Sequence, residues 1–115
     1  MHEVGIVREI LNTVEDAARG AGASRVVSVS LRIGDMCEVV PEALDFAWET
    51  LRAERTLTET AELTVEEVSP ESTCRDCGVT FDHDRFHCRC PECGSANTRL
   101  LRGRELEITS MEIEE

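Results

Sequence analysis

Residues 74–77 read Cys74-Arg75-Asp76-Cys77, and residues 90–94 read Cys90-Pro91-Glu92-Cys93-Gly94. Twelve residues separate the two pairs. Two CxxC pairs at that distance suit one tetrahedral ion, because each pair folds into a tight knuckle that turns two thiolates toward a common centre. Zinc accepts four thiolates at about 2.3 Å without a directional d-electron preference. Four sulfurs close the coordination shell and leave no position for water or substrate, so the expected zinc is structural rather than catalytic. Gly94 tolerates the left-handed turn that follows the second cysteine of a knuckle. Cys88, two residues before Cys90, can in principle compete as a ligand; the better-formed knuckle makes it a free thiol beside the site.

A metal-stapled stretch from about 70 to 103 is too small and too poor in aromatic residues to repay its chain entropy without the ion. Working outward from it, residues 3–21 place Ile6, Val7, Ile10, Leu11, Val14, Ala17 and Ala18 at helical spacing, with Gly20 and Gly22 at the stop. From Ser24 to Ile33 the period changes to two. Val27, Val29, Leu31 and Ile33 share one face and Ser28, Ser30 and Arg32 the other, which predicts a half-buried strand. Pro41 and Glu42 open a second helix whose stripe is Leu44, Ala47, Trp48 and Leu51. Ala61, Leu63 and Val65 alternate with acids and Thr64 in a second strand. After the metal module come Leu106 and Ile108, then Met111 and Ile113. The alternation slips near Ser110, so the last strand carries a bulge there or loses its partner.

The order is therefore helix, strand, helix, strand, metal module, strand. It predicts an α+β fold: two helices packed on a small three-stranded, mainly antiparallel sheet, with an inserted zinc-ribbon-like module. The expected division is 1–69 plus 104–115 for the α+β domain and 70–103 for the zinc-binding module. The last strand can pair within the chain or swap between chains, so both a monomer and a homodimer are open.

The chain has 115 residues and a net charge of −12. Every base is Arg. Between 70 and 103, five Arg balance five acids, so the rest of the chain supplies the whole negative charge. Four thiolates on one Zn²⁺ add about −2 more. So acidic a chain repels phosphates, which argues against the nucleic-acid binding common among zinc ribbons. No apolar run approaches the roughly 20 residues of a membrane span. The N-terminus lacks the order of a signal peptide, which makes a cytoplasmic location the expectation. There the six cysteines read as thiols or metal ligands.

Several other groups invite a chemical reading. His83 and His87 lie in the loop between the cysteine pairs, either as solvated residues or as imidazoles beside the zinc thiolates, where they would make the site respond to mild acid. Cys37, just after the first strand, reads as a single buried thiol. No Ser-His-Asp set, phosphate-binding glycine loop or supported carboxylate pair is present, so the chain reads as a non-enzyme. At the other end stands Met1-His2-Glu3. The α-amine, the amide nitrogens of His2 and Glu3 and the His2 imidazole can enclose a metal in a planar nitrogen set, which suits Ni(II) or Cu(II). A disordered terminal histidine has the same spacing, and spacing alone does not choose between them.

Met1-His2-Glu3 opening a helix, Ile33-Gly34 closing a strand, Pro41-Glu42-Ala43-Leu44 with Phe46 opening the second helix, and the two CxxC pairs occur in that order. Together they resemble the HypA/HybF family of nickel metallochaperones for [NiFe]-hydrogenase maturation, over essentially the whole chain. The resemblance implies nickel held at Met1, His2 and Glu3, and structural zinc at Cys74, Cys77, Cys90 and Cys93. It also implies delivery of Ni(II) to a hydrogenase large-subunit precursor with a partner maturation GTPase. Some relatives serve urease, which adds urease maturation proteins as partners. The chain departs from the family at Gly5 and Cys37, where Ser is frequent; neither is a proposed ligand. The competing expectation is a zinc-ribbon protein-interaction module that transports no metal.

Overall fold

The computed structural model describes residues 2–115. Helix α1 spans Glu3–Gly20 and α2 spans Pro41–Arg52. The strands are β1 (Arg25–Gly34), β2 (Glu62–Val68), β3 (Glu71–Cys74), β4 (Thr80–Asp82), β5 (Thr98–Arg102) and β6 (Leu106–Glu114). Short 3-10 turns occupy Asp35–Cys37 and Thr56–Thr58. The α+β class is as expected. One three-stranded sheet has the order β2-β1-β6, and the inserted segment forms a second, β4-β3-β5.

The chain divides into two compact units. The first comprises Met1–Leu31, Val39–Glu66 and Glu107–Glu115. Its core joins Val7, Leu11, Val14 and Ala18 of α1 to Leu44, Ala47, Trp48 and Leu51 of α2, with Val26, Val29 and Leu31 of β1. All four positions expected along α2 are buried. Pro41 sits in its first turn, where a missing N–H costs nothing. The Trp48 indole is buried and donates to the Ala61 carbonyl at 3.0 Å, so the largest side chain of the core leaves no unpaired donor. Strands β1 and β6 run antiparallel here. The Ser24 amide donates to the Glu114 carbonyl at 2.7 Å, and the Thr109 hydroxyl donates to the Ser30 carbonyl at 3.2 Å.

Three side chains depart from the sequence pattern. Ala17 is exposed, because five other positions already fill the buried stripe of α1. At the start of β1 the buried residue is Val26, not Val27. The buried positions then run Val29, Leu31, Ile33, so the phase slips by one residue between Val26 and Val29. Leu106 is exposed. In β6 the half-buried residues are Ile108, Met111 and Ile113, and the expected slip near Ser110 is present. The strand keeps its partner beyond the slip, as the Ser24–Glu114 bond requires.

The second unit comprises Arg32–Glu38 and Glu67–Leu106. Strand β3 is its centre, antiparallel to both β4 and β5. Gly34 crosses the chain here at a distance that admits no side chain: a Cβ on Gly34 would lie 2.0 Å from the Gly103 carbonyl oxygen. Around that crossing the Gly34 amide donates to Glu105 at 2.7 Å, and the Met36 amide donates to Gly103 at 2.9 Å. The half-buried Cys37 thiol sits 3.3 Å from the carbonyls of Arg104 and Glu105, which accounts for a lone thiol at this position.

Candidate metal centre

The two CxxC segments fold as matched knuckles. The Gly78 amide donates to the Cys74 carbonyl and the Gly94 amide to the Cys90 carbonyl, each at 2.9 Å. Gly78 (φ 83°) and Gly94 (φ 74°) take the left-handed conformation that closes each turn, which glycine adopts without a Cβ penalty. Inside the first knuckle the Cys77 amide points at the Cys74 sulfur, 3.4 Å away.

These turns bring four sulfurs together. Cys74 Sγ lies 3.6 Å from Cys93 Sγ, and Cys77 Sγ lies 3.5 Å from Cys90 Sγ. All four fall within 4.8 Å of one another, and among the described residues they are the one such group of potential ligands. A regular tetrahedron with bonds of about 2.3 Å has edges of about 3.8 Å. The sulfur cluster fits a structural zinc ion. Cys74 and Cys90 are buried against Phe81 and Val79, whereas Cys77 and Cys93 face solvent.

Electrostatics agree with the geometry. The Cys77 amide, donating to the Cys74 sulfur, pulls that thiol from 9.0 down to about 7. At Cys93 the Ser95 amide favours the thiolate, but the crowding sulfurs of Cys74, Cys90 and Cys77, together with desolvation, outweigh it and push the thiol up to about 12. At Cys77 the Val79 amide likewise pulls downward and is outweighed, chiefly by the Cys90 sulfur and by desolvation. Four thiolates cannot share this space unless a cation neutralises them. Zinc must therefore displace protons, and its affinity falls as pH falls. In the metal-free chain, Cys74 stabilises the fold above 9.0 and loses that contribution as pH drops through about 7. Raised Cys93 has the opposite sign: its contribution is complete below 9.0 and vanishes as pH rises through about 12. The expected result is a loss of zinc affinity of roughly tenfold or more per pH unit below about 7, read by chelator competition at several pH values.

Neither loop histidine joins the four sulfurs. His83 Nε2 lies 2.7 Å from the buried Ser72 hydroxyl, and its Nδ1 lies 2.7 Å from the Asp84 carbonyl. His87 Nδ1 lies 2.8 Å from the Asp84 carboxylate. That contact and the Phe86 amide hold the Asp84 carboxyl below its ordinary range. Cys88 is likewise outside the cluster, its sulfur 3.6 Å from the Arg85 carbonyl.

At the other end of the chain, Met1 lies outside the described residues. His2 is exposed at the N-cap of α1, and its carbonyl accepts the Ile6 amide at 3.2 Å. The Glu3 carboxylate accepts the Val40 amide at 3.1 Å, and this bond leads the effects that lower its pKa. The first turn of α1 is thereby tied to the start of α2 by a contact that no local sequence pattern announces. His2, Glu3, Val4, Ala43, Phe46 and Ala47 line an open groove of about 350 Å³. Phe46 is 75% exposed at its edge.

A family profile described as "HypA: Hydrogenase/urease nickel incorporation, metallochaperone, hypA" matches residues 1–113. The chain belongs to the HypA family. It is 37% identical to the hydrogenase maturation factor HypA of Chlorobium luteolum, covering 100% of this chain and 97% of that one. Its identity to the HypA of Aquifex aeolicus is also 37%, covering 99% and 98%. In three dimensions it resembles the solution structure of the nickel metallochaperone HypA from Helicobacter pylori, with a TM-score of 0.70, 26% identity, and coverage of 99% and 98%. A nickel metallochaperone role in hydrogenase maturation thus matches both the family and the paired-cysteine architecture.

Proposed function

We propose that this HypA-family chain binds Ni(II) through the Met1 amine, the amide nitrogens of His2 and Glu3, and the His2 imidazole. It then gives the ion to a hydrogenase large-subunit precursor, acting with a partner GTPase in the cytoplasm. The observation that carries this reading is the position of His2: exposed at the start of α1, beside a Glu3 carboxylate already committed to Val40. Amides at the start of a helix have no helical carbonyl to donate to, so those of His2 and Glu3 can release their protons to solvent and ligate the metal without breaking a helical hydrogen bond. Because Glu3 is anchored through its side chain, its backbone is held in place while its carboxylate is kept off the metal.

In this reading, 1–69 with 104–115 is the nickel-binding domain and 70–103 the zinc-binding module, with Cys74, Cys77, Cys90 and Cys93 as ligands. The chain catalyses no reaction. A metallochaperone must also release its cargo. Amine and imidazole donors both take protons, and a planar set built on a chain terminus can be stripped away by a competing acceptor. The groove beside His2, with Phe46 at its edge, lies where an acceptor would approach.

The test is to titrate Ni(II) into the zinc-loaded protein. His2→Ala is expected to abolish nickel binding while zinc content and circular dichroism stay at parental values. Acetylating the α-amine should have the same effect. Nickel affinity unchanged in both would overturn the proposal and leave the zinc-ribbon interaction module as the better reading.

A further inference from the structure

The four sulfurs do not account for everything that holds the two knuckles together. Asp76 lies inside the first CxxC pair, next to Cys77, yet its carboxylate reaches residues that follow the second pair. One oxygen accepts the Ser95 hydroxyl, and the other lies 3.4 Å from the Asn97 side-chain amide. The Ser95 hydroxyl in turn accepts the Asn97 backbone amide at 3.0 Å. Main-chain bonds frame this contact: the Arg75 amide donates to Asn97 at 2.9 Å and the Cys90 amide to Ser95 at 3.0 Å. All of these residues belong to one compact unit.

The placement is asymmetric with respect to the site. Phe81 and Val79 wall in Cys74 and Cys90, so solvent reaches the sulfurs from the side of Cys77 and Cys93. Asp76 adjoins Cys77, and Ser95 follows Cys93 by two residues. The carboxylate therefore ties together the segments that carry the two exposed cysteines, Cys77 and Cys93. Hydrogen bonds to a charged acceptor are stronger than those between neutral groups.

We infer that Asp76, with Ser95 and Asn97, is a latch that closes the two knuckles over the solvent-facing side of the metal centre and slows loss of the ion. Asp76 is a positioning residue and not a ligand. The inference rests on the sulfur cluster alone and does not depend on the nickel reading.

The experiment is timed zinc release from the full-length chain to an excess of a chromogenic chelator. Removing groups that orient metal ligands costs about 10- to 100-fold in metal affinity, and the same range is expected here as acceleration for Asp76→Ala and Ser95→Ala. Asp76→Asn, which retains one carbonyl acceptor, should fall between Ala and parent. Asp82→Ala removes a carboxylate on β4 that pairs with Arg102 in the same unit, and it should release zinc at the parental rate. Cobalt(II) substitution supplies the second readout: the tetrahedral four-sulfur spectrum should be unchanged in every variant, since the ligands remain. Release within about twofold of parent for both Asp76→Ala and Ser95→Ala would overturn the latch. So would equal acceleration by Asp82→Ala, which would mean general loosening of the unit. A parent chain without the four-sulfur cobalt spectrum would instead refute the metal centre itself.

Discussion

Cys74→Ser is expected to strip zinc from the chain and unfold the stretch around the metal centre. The reason is the size of that stretch. Its buried apolar cluster among the described residues consists of Cys74, Phe81 and Cys90, with Val79 packed against it, and two of those are themselves candidate ligands. Strand β4 is three residues long and β3 four. So small a core does not offset the conformational entropy of ordering the chain. Apparent free energies for structural zinc in small domains are about 10–16 kcal/mol at neutral pH, as large as the stability of a whole domain. Metal analysis should show zinc falling from one equivalent to a small fraction. Amide hydrogen exchange should lose protection in β3, β4 and β5 while α1 and α2 stay protected. Full protection of β3–β5 in the zinc-free variant would show that the hydrogen-bonded sheet suffices by itself.

The second large effect belongs to the other unit. Trp48→Ala should destabilise the α-helical core by about 3–5 kcal/mol, the usual cost of deleting a buried aromatic. Trp48 is 1% exposed, in a core that also holds Leu44, Leu51 and the buried stripe of α1. The same change strands the Ala61 carbonyl, which loses its indole donor. Urea unfolding followed by circular dichroism reads the loss, and zinc stoichiometry provides the contrast, since no zinc ligand is touched. Trp48→Phe should recover most of the packing but not the hydrogen bond. A Phe variant as unstable as the Ala variant would mean that the indole bond, rather than volume, dominates.

Much of this architecture is legible along the chain. The buried stripe of α2 follows from period 3.6, and the two strands flanking it follow from period 2, because each element has one face turned to a core. The paired cysteines announce their knuckles for a similar reason: a CxxC turn is closed by its own backbone, and the glycine after it supplies the left-handed residue. Such features depend on neighbours within four or five positions. Reading by pattern fails where a partner element decides. Val26 rather than Val27 is buried because the phase of β1 slips, which alternation cannot foresee. Leu106 is apolar yet exposed. Cys37 is explained only by the carbonyls of Arg104 and Glu105 brought alongside it.

The order of elements, the helical and strand periodicities, the two separate CxxC knuckles and the His2 terminus are all legible from residues close together in the chain. Tertiary structure decided the rest: Gly34 pressed against Gly103, Glu3 held by Val40, and Asp76 bonded to Ser95 across the two knuckles. Each of those contacts joins residues at least 19 positions apart. Periodicity and spacing encode the conformation of a segment. They carry no record of which distant backbone will come to rest against it, because that is set by how the elements pack.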